Sequence, residues 1–226
     1  MDAVVFDLDG VLLRKGNLRS AIDEPVEETA TEKALADLGI TDPPEAFLDA
    51  VWEGSYPKLA EATETFGIDA DPKEIWPLRE RYLAELEQYH IQNRTRKACE
   101  DVDVIDRLIQ RSIHLGIASN ARHETVLCTI EYLAFDPANT DARGQYLEPD
   151  DWFRRKPEPD YILDVMERIG TQKTGVYVGD SESDVIAAKR AGLESAFIRR
   201  DHNRHFELDH TPTYELDTLY DLLDIL

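Results

Sequence analysis

Residues 1–13 read MDAVVFDLDGVLL. Residues 3–6, AVVF, are a continuous apolar run without alternation, the pattern of a strand buried on both faces in a parallel sheet. The run ends on Asp7-Leu8-Asp9-Gly10, a turn sequence. Side chains two apart on extended chain point the same way, so Asp7 and Asp9 can face one site. Two carboxylates brought together cost free energy unless something positive lies between them. The rest of the chain has to supply that charge, or the pair is only a turn.

Similar runs recur downstream: IHLGIAS ending at Ser119, GVYVGD ending at Asp180 and SAFI ending at Ile198. Helical patterns separate them. Val104, Ile105, Leu108 and Ile109 share a face, as do Val126, Ile130 and Leu133. Tyr161, Ile162, Val165, Met166 and Ile169 form a third face, and Val185, Ala188 and Ala191 a fourth. Strand–helix alternation predicts an α/β fold, a parallel sheet with helices on both faces. Residues 15–95 break the pattern with helix-period segments and no strand. Asp23 with Pro25, Glu27 and Glu28 starts one helix, backed by Val26, Ala30, Ala34 and Leu38. Phe47, Ala50 and Val51 mark a second, and Ile75, Leu78, Tyr82, Leu86 and Tyr89 a long third. The expected division is a core of 1–14 and 96–226 interrupted by an all-helical insertion, 15–95. The tail, PTYELDTLYDLLDIL, reads as a short strand and a closing helix.

The 226 residues carry 47 acidic and 25 basic side chains, a formal charge of -22. Such a field repels nucleic acid and anionic lipid, so neither is an expected partner. The carboxylates are spread along the chain, which reads as a solvated acidic surface or as adaptation to high salt. Cys99 and Cys128 stand far apart in no metal-ligand spacing and read as free thiols of a cytoplasmic protein. No run approaches the length of a membrane span, and no signal peptide is visible.

In an open parallel sheet, ligands bind outside the carboxyl ends of the strands. Three such ends here are polar: Asp7 with Asp9, Ser119 with Asn120, and Asp180 with Asp184. Singly, each has a plain structural explanation. Asp-Gly is a common turn, Ser119 or Asn120 can cap a helix, GDSESD can be an N-cap, and Lys156 can be a loop lysine. Together, four carboxylates on one edge would repel. A hard divalent cation removes the conflict, and Mg²⁺ suits a few oxygen ligands with water and a phosphate oxygen. Ser119 and Lys156 then serve as donors to a phosphoryl group.

FDLDGVL, ASNA, the Lys156-Pro157-Glu158-Pro159 stretch and VGDSESD, in that order, resemble the motifs of the haloacid dehalogenase superfamily. The likeness is to its phosphatase branch with a helical cap, phosphoglycolate-phosphatase-like. The resemblance implies a Rossmann-like core and a Mg²⁺-dependent phosphatase acting on a small-molecule phosphate ester. Asp7 is then the nucleophile that forms an aspartyl-phosphate. Asp9 protonates the leaving alcohol and later deprotonates the attacking water. Ser119 and the backbone N–H of Asn120 hold phosphoryl oxygens, and Lys156 neutralises charge. The metal is held by Asp7, the Asp9 carbonyl and Asp180, with Asp184 binding it or orienting its waters. Asp9 favours ester chemistry over dehalogenation. A phosphomutase of the β-phosphoglucomutase type remains an alternative, as does a non-catalytic interaction module on a hydrolase scaffold.

Arg14, Lys15 and Arg19 stand where the family pattern has an acidic residue, and read as surface charges or as contacts to an anionic substrate. Arg154 and Arg155 either add to the cationic field or pair with surface carboxylates. Trp52, Tyr56, Trp76 and Tyr82 at helical spacing read as core rather than pocket lining. His202, His205 and His210 read as a solvated loop. Oligomeric state is not legible.

Overall fold

The computed structural model describes residues 1–15, 26–52, 54–136, 140–170 and 174–226. The Asp23 helix start and Arg19 lie outside them. The chain divides into two compact units. One comprises Met1–Lys15, Arg96–Gln145 and Arg154–Leu226, the other Gly16–Thr95 with Tyr146–Phe153.

The first unit is a six-stranded parallel sheet of β1 (Ala3–Phe6), β2 (His114–Arg122), β3 (Thr140–Gln145), β4 (Gly175–Gly179), β5 (Glu194–Ile198) and β6 (Tyr214–Leu216), in the order β3-β2-β1-β4-β5-β6. Central β1 pairs Phe6 with Ile117 on one side and Val178 on the other. Asp7, Ser119 and Asp180 therefore reach the same sheet edge. The strand order reverses at β1, the switch point where crevices open in such sheets. Ala3 and Val5 pack in one cluster with Tyr161, Val165, Ala187 and Ala188. Val4 and Phe6 point the other way and are equally buried, so both faces are covered.

Sequence reading missed β3. Its sequence, TDARGQ, is polar, yet most of the strand is buried. Arg143 explains this: its guanidinium stacks 4.6 Å from the Tyr161 ring centroid and pairs with Asp164 at 3.0 Å, so a cation fills an apolar slot. The strand ending at Ser119 also runs on to Arg122.

In the second unit lie helices α1 (Val26–Asp37), α2 (Glu45–Val51), α3 (Tyr56–Thr65) and α4 (Pro72–Gln92). Helix α3 was not expected, because its buried face is only Leu59, Ala62 and Thr63; Ser55 caps it by accepting from Lys58 N. Trp76 is buried among Leu35, Phe47, Val51, Leu59 and Ile75, with Tyr56 packed on it edge-on at 5.6 Å. Trp52 is half-buried and Tyr82 packs on a smaller cluster. Residues 146–153, placed in the core by the 96–226 boundary, group with this unit. The Trp152 indole donates to Gly54 O at 3.4 Å and Phe153 meets Tyr56 edge-on, which ties the segment to α3. Among the described residues no helix is long and apolar enough to cross a membrane.

The first unit's later helices are α5 (Val104–Gln110), α6 (His123–Tyr132), α7 (Asp160–Arg168), α8 (Glu182–Arg190) and α9 (Leu222–Ile225). Helix α7 follows Lys156 and seats on β2 at Gly116, where an added Cβ would meet Val165 Cγ1 at 2.3 Å. Gly116→Ala is expected to cost about 1–3 kcal/mol by overpacking. The measurement is a lower urea midpoint at unchanged m-value.

Candidate active site

The β1–β4 pairing continues one residue past β1, where Asp7 N donates to Val178 O at 2.8 Å. The Asp7 side chain is thereby held at the sheet edge. The chain then turns on Gly10, whose φ is +82° and whose N–H donates to Leu13 O at 2.7 Å. A Cβ on Gly10 would lie 2.1 Å from Asp180 Oδ2, so this turn admits only glycine. Asp9 sits on the turn, one-third exposed, and its carboxylate forms an ion pair with Arg96.

Lys156 enters from the loop before α7. Its ammonium is 2.6 Å from Asp7 Oδ1 and 2.6 Å from Asp184 Oδ1, and donates to the Tyr177 hydroxyl at 2.7 Å. Tyr177 in turn donates to Ala118 O at 2.6 Å. The Lys156 backbone is clamped by the Asn120 side chain, which accepts from Lys156 N at 2.8 Å and donates to Lys156 O at 3.1 Å. The Asn120 amide thus holds the backbone of the lysine in place. Ser119 Oγ accepts from Ala121 N at 3.2 Å and keeps its own proton to donate.

The stretch GDSESD does two things at once. Asp184 Oδ2 accepts from Ser181 Oγ at 2.5 Å, Ser181 N at 3.0 Å and Asp180 N at 3.1 Å, a capping box that starts α8. Its other oxygen faces Lys156. The Asp180 carbonyl is held by Asn203 Nδ2 at 2.8 Å. Asp180 Oδ2 lies 3.0 Å from Lys15 Nζ and 2.5 Å from His202 Nε2.

Lys15 is a half-exposed surface residue, yet its charge is paired with Asp180. His202 corrects an expectation: it is not simply solvated but meets the same carboxylate. Arg14 pairs instead with exposed Glu100 at 2.5 Å, and His210 with Glu182 at 2.5 Å. Arg154 pairs with Asp160 and Asp164, each at 3.0 Å, as a surface reading required. Asp7, Asp9, Ser119, Lys156, Arg122 and Arg155 line a pocket of about 210 Å³, with Asp180 also in its wall. Arg96, Arg122 and Tyr177 carried no motif signal; only Tyr177 sat inside a quoted stretch, where it read as strand filler.

Asp7, Asp180 and Asp184, all buried, each bring an oxygen within 4.8 Å of the others. Asp7 Oδ1 is buried, with the Lys156 ammonium 2.6 Å away as its charged partner. Burial raises Asp7 from 3.8 to about 6, with Asp184 and Asp180 adding to the rise and Lys156 opposing it. Burial alone would pull Lys156 down, but Asp184 and Asp7 outweigh it and raise it, so the ammonium stays charged. Burial, with the nearby carboxylates, drives Tyr177 well above its usual value, which keeps it a donor. An all-oxygen cluster of three buried carboxylates that share one ammonium suits a hard divalent cation.

The chain is 26% identical over 208 residues to a phosphoglycolate phosphatase of Rhodospirillum rubrum, covering 89% of this chain and 81% of that one. It is 38% identical over 72 residues to phosphoglycolate phosphatase 1 of Pseudomonas aeruginosa, a match over 31% of this chain and only 26% of that protein's length. The fold matches that of CbbY from Rhodobacter sphaeroides, solved in complex with phosphate, with a TM-score of 0.66 at 18% identity over 98% of this chain and 96% of that one. Residues 4–198, which contain every motif residue from Asp7 to Asp184, match the family described as haloacid dehalogenase-like hydrolase. The chain belongs to the haloacid dehalogenase-like hydrolase family.

Proposed function

We propose that the protein is a Mg²⁺-dependent phosphatase that hydrolyses a small phosphorylated metabolite through an aspartyl-phosphate on Asp7. The observation that carries this reading is the placement of Asp7: a buried carboxylate beside the Lys156 ammonium, in a pocket that also holds Asp9 and Ser119. The partial match to phosphoglycolate phosphatases supports the same chemistry. Two buried free thiols fit a cytoplasmic setting.

In the first step the Asp7 carboxylate attacks phosphorus and the bond to the leaving oxygen breaks. That oxygen takes a proton from Asp9. In the second, a water gives its proton to Asp9 as its oxygen attacks the same phosphorus. The bond to Asp7 then breaks, and inorganic phosphate leaves. Lys156 and Ser119 hold phosphoryl oxygens throughout, and Asn120 keeps the lysine in place. Asp7, Asp180 and Asp184, with the Asp9 carbonyl, would hold Mg²⁺, which when bound offsets charge on the carboxylates and on the phosphoryl group.

The test is phosphate release from a panel of phosphate esters. Turnover is expected with Mg²⁺, lost on chelation and restored by adding the metal. Asp7→Asn is expected to lower it to background; release by that variant at the native rate would remove Asp7 as nucleophile.

The raised Asp7 value gives a second expectation. The folded chain binds this proton more tightly than the unfolded one, so ionised Asp7 costs stability. The cost is absent below about pH 4, builds up to about pH 6 and is complete above it. Its size is on the order of 2–3 kcal/mol at most. Metal-free Asp7→Asn should therefore melt higher than the native chain at pH 8, and the gap should close toward pH 4. Thermal scans at the two pH values check this.

A further inference from the structure

Arg96 follows the helical insertion in sequence and belongs to none of the motifs. Its side chain is only 8% exposed and pairs through one terminal nitrogen with Asp9 Oδ1. The other terminal nitrogen, Nη1, is buried without a hydrogen-bond partner. Burying a guanidinium is costly, and an unspent donor adds to the cost. A like charge makes it worse. Burial and nearby Arg122 draw Arg96 down to about 10, with Asp7 pulling the other way, so it remains cationic at neutral pH. Asp9 as a whole is one-third exposed, so water reaches its carboxylate, although Oδ1 itself is buried against Arg96. Neutralising Asp9 therefore does not account for so expensive a partner. What a buried guanidinium adds over water is a fixed donor: Nη2 holds Oδ1 in place and so limits how the carboxylate can turn.

We propose that Arg96 is the positioning residue for Asp9, holding Oδ1 so that Oδ2 is aimed at the oxygen that gains or loses the proton. The inference rests on the phosphatase reading and deepens it. Arg96 acts through Asp9, so its loss falls on the steps that need proton transfer. An alkyl ester needs a proton on its leaving oxygen; a nitrophenyl ester does not, because nitrophenolate is a stable anion.

The experiment compares native enzyme and Arg96→Ala on glycerol 3-phosphate and p-nitrophenyl phosphate, in Mg²⁺, with unfolding midpoints recorded alongside. Arg96→Ala is expected to lower kcat on the alkyl ester about 100-fold, the scale of a lost acid–base contribution. First-turnover release of nitrophenolate should stay close to the native rate, and millimolar guanidinium ion should restore part of the alkyl activity. Arg96→Lys, which keeps the charge but not the fork, carries the same comparison if the alanine variant fails to fold. Native-like turnover of the alkyl ester by the variant, or equal loss on both esters with no rescue, would overturn the assignment. A native enzyme that hydrolyses neither these two esters nor any member of the phosphate-ester panel would bring down the phosphatase reading, and this inference with it.

Discussion

The site depends on one buried ammonium. Lys156 sits between Asp7 and Asp184, with Tyr177 as a third partner, and all four groups are nearly closed to solvent. Removing the ammonium would leave two buried carboxylates, Asp7 and Asp184, uncompensated, at a cost of about 3–5 kcal/mol. The structure around it is committed to keeping the lysine there. Asn120 grips its backbone from both sides, and the Tyr177 hydroxyl donates a hydrogen bond to the β2 carbonyl at Ala118. The ends of β1, β2 and β4 are thus linked through a single side chain.

One ammonium does not balance the carboxylates at this edge. Asp180 recruits Lys15 and His202, and Asp9 recruits Arg96. Even so, burial, with Asp184 and Asp180 adding to it, keeps Asp7 raised to about 6. The buried ionised carboxylate is a stability cost concentrated where a divalent cation and a phosphoryl group would relieve it, as functional sites often trade stability for chemistry. The turn that carries Asp9 is secured from behind. Arg200 donates to the Gly10 and Val11 carbonyls and forms a two-pronged pair with Asp101, which in turn accepts from Leu219 N.

The helical unit shows what aromatic spacing means when no motif accompanies it. Trp76 is fully interior, and Tyr56 packs against it rather than facing open space. Segment 146–153 follows from the same physics. Its Trp152 and Phe153 find their ring partners beside α3, so the chain leaves the sheet unit after Gln145 and returns at Arg154.

Local chemistry was enough to read the sheet, its helices and the motif residues. Unbroken apolar runs mark buried strands, and polar residues at their carboxyl ends mark the crevice. Asp7, Asp9, Ser119, Lys156, Asp180 and Asp184 were legible because each stands at the end of such a run or in a turn with a recognisable residue order. Strand β3 was not, because Arg143 becomes core material only when Tyr161 and Asp164 arrive from another part of the chain. Arg96 and Arg122 escaped for the same reason, and the pairing of Lys15 and His202 with Asp180 was not legible either. A basic residue on a loop looks the same whether it meets water or a carboxylate, and only the folded chain, which brings Arg96 into contact with the distant Asp9, decides which.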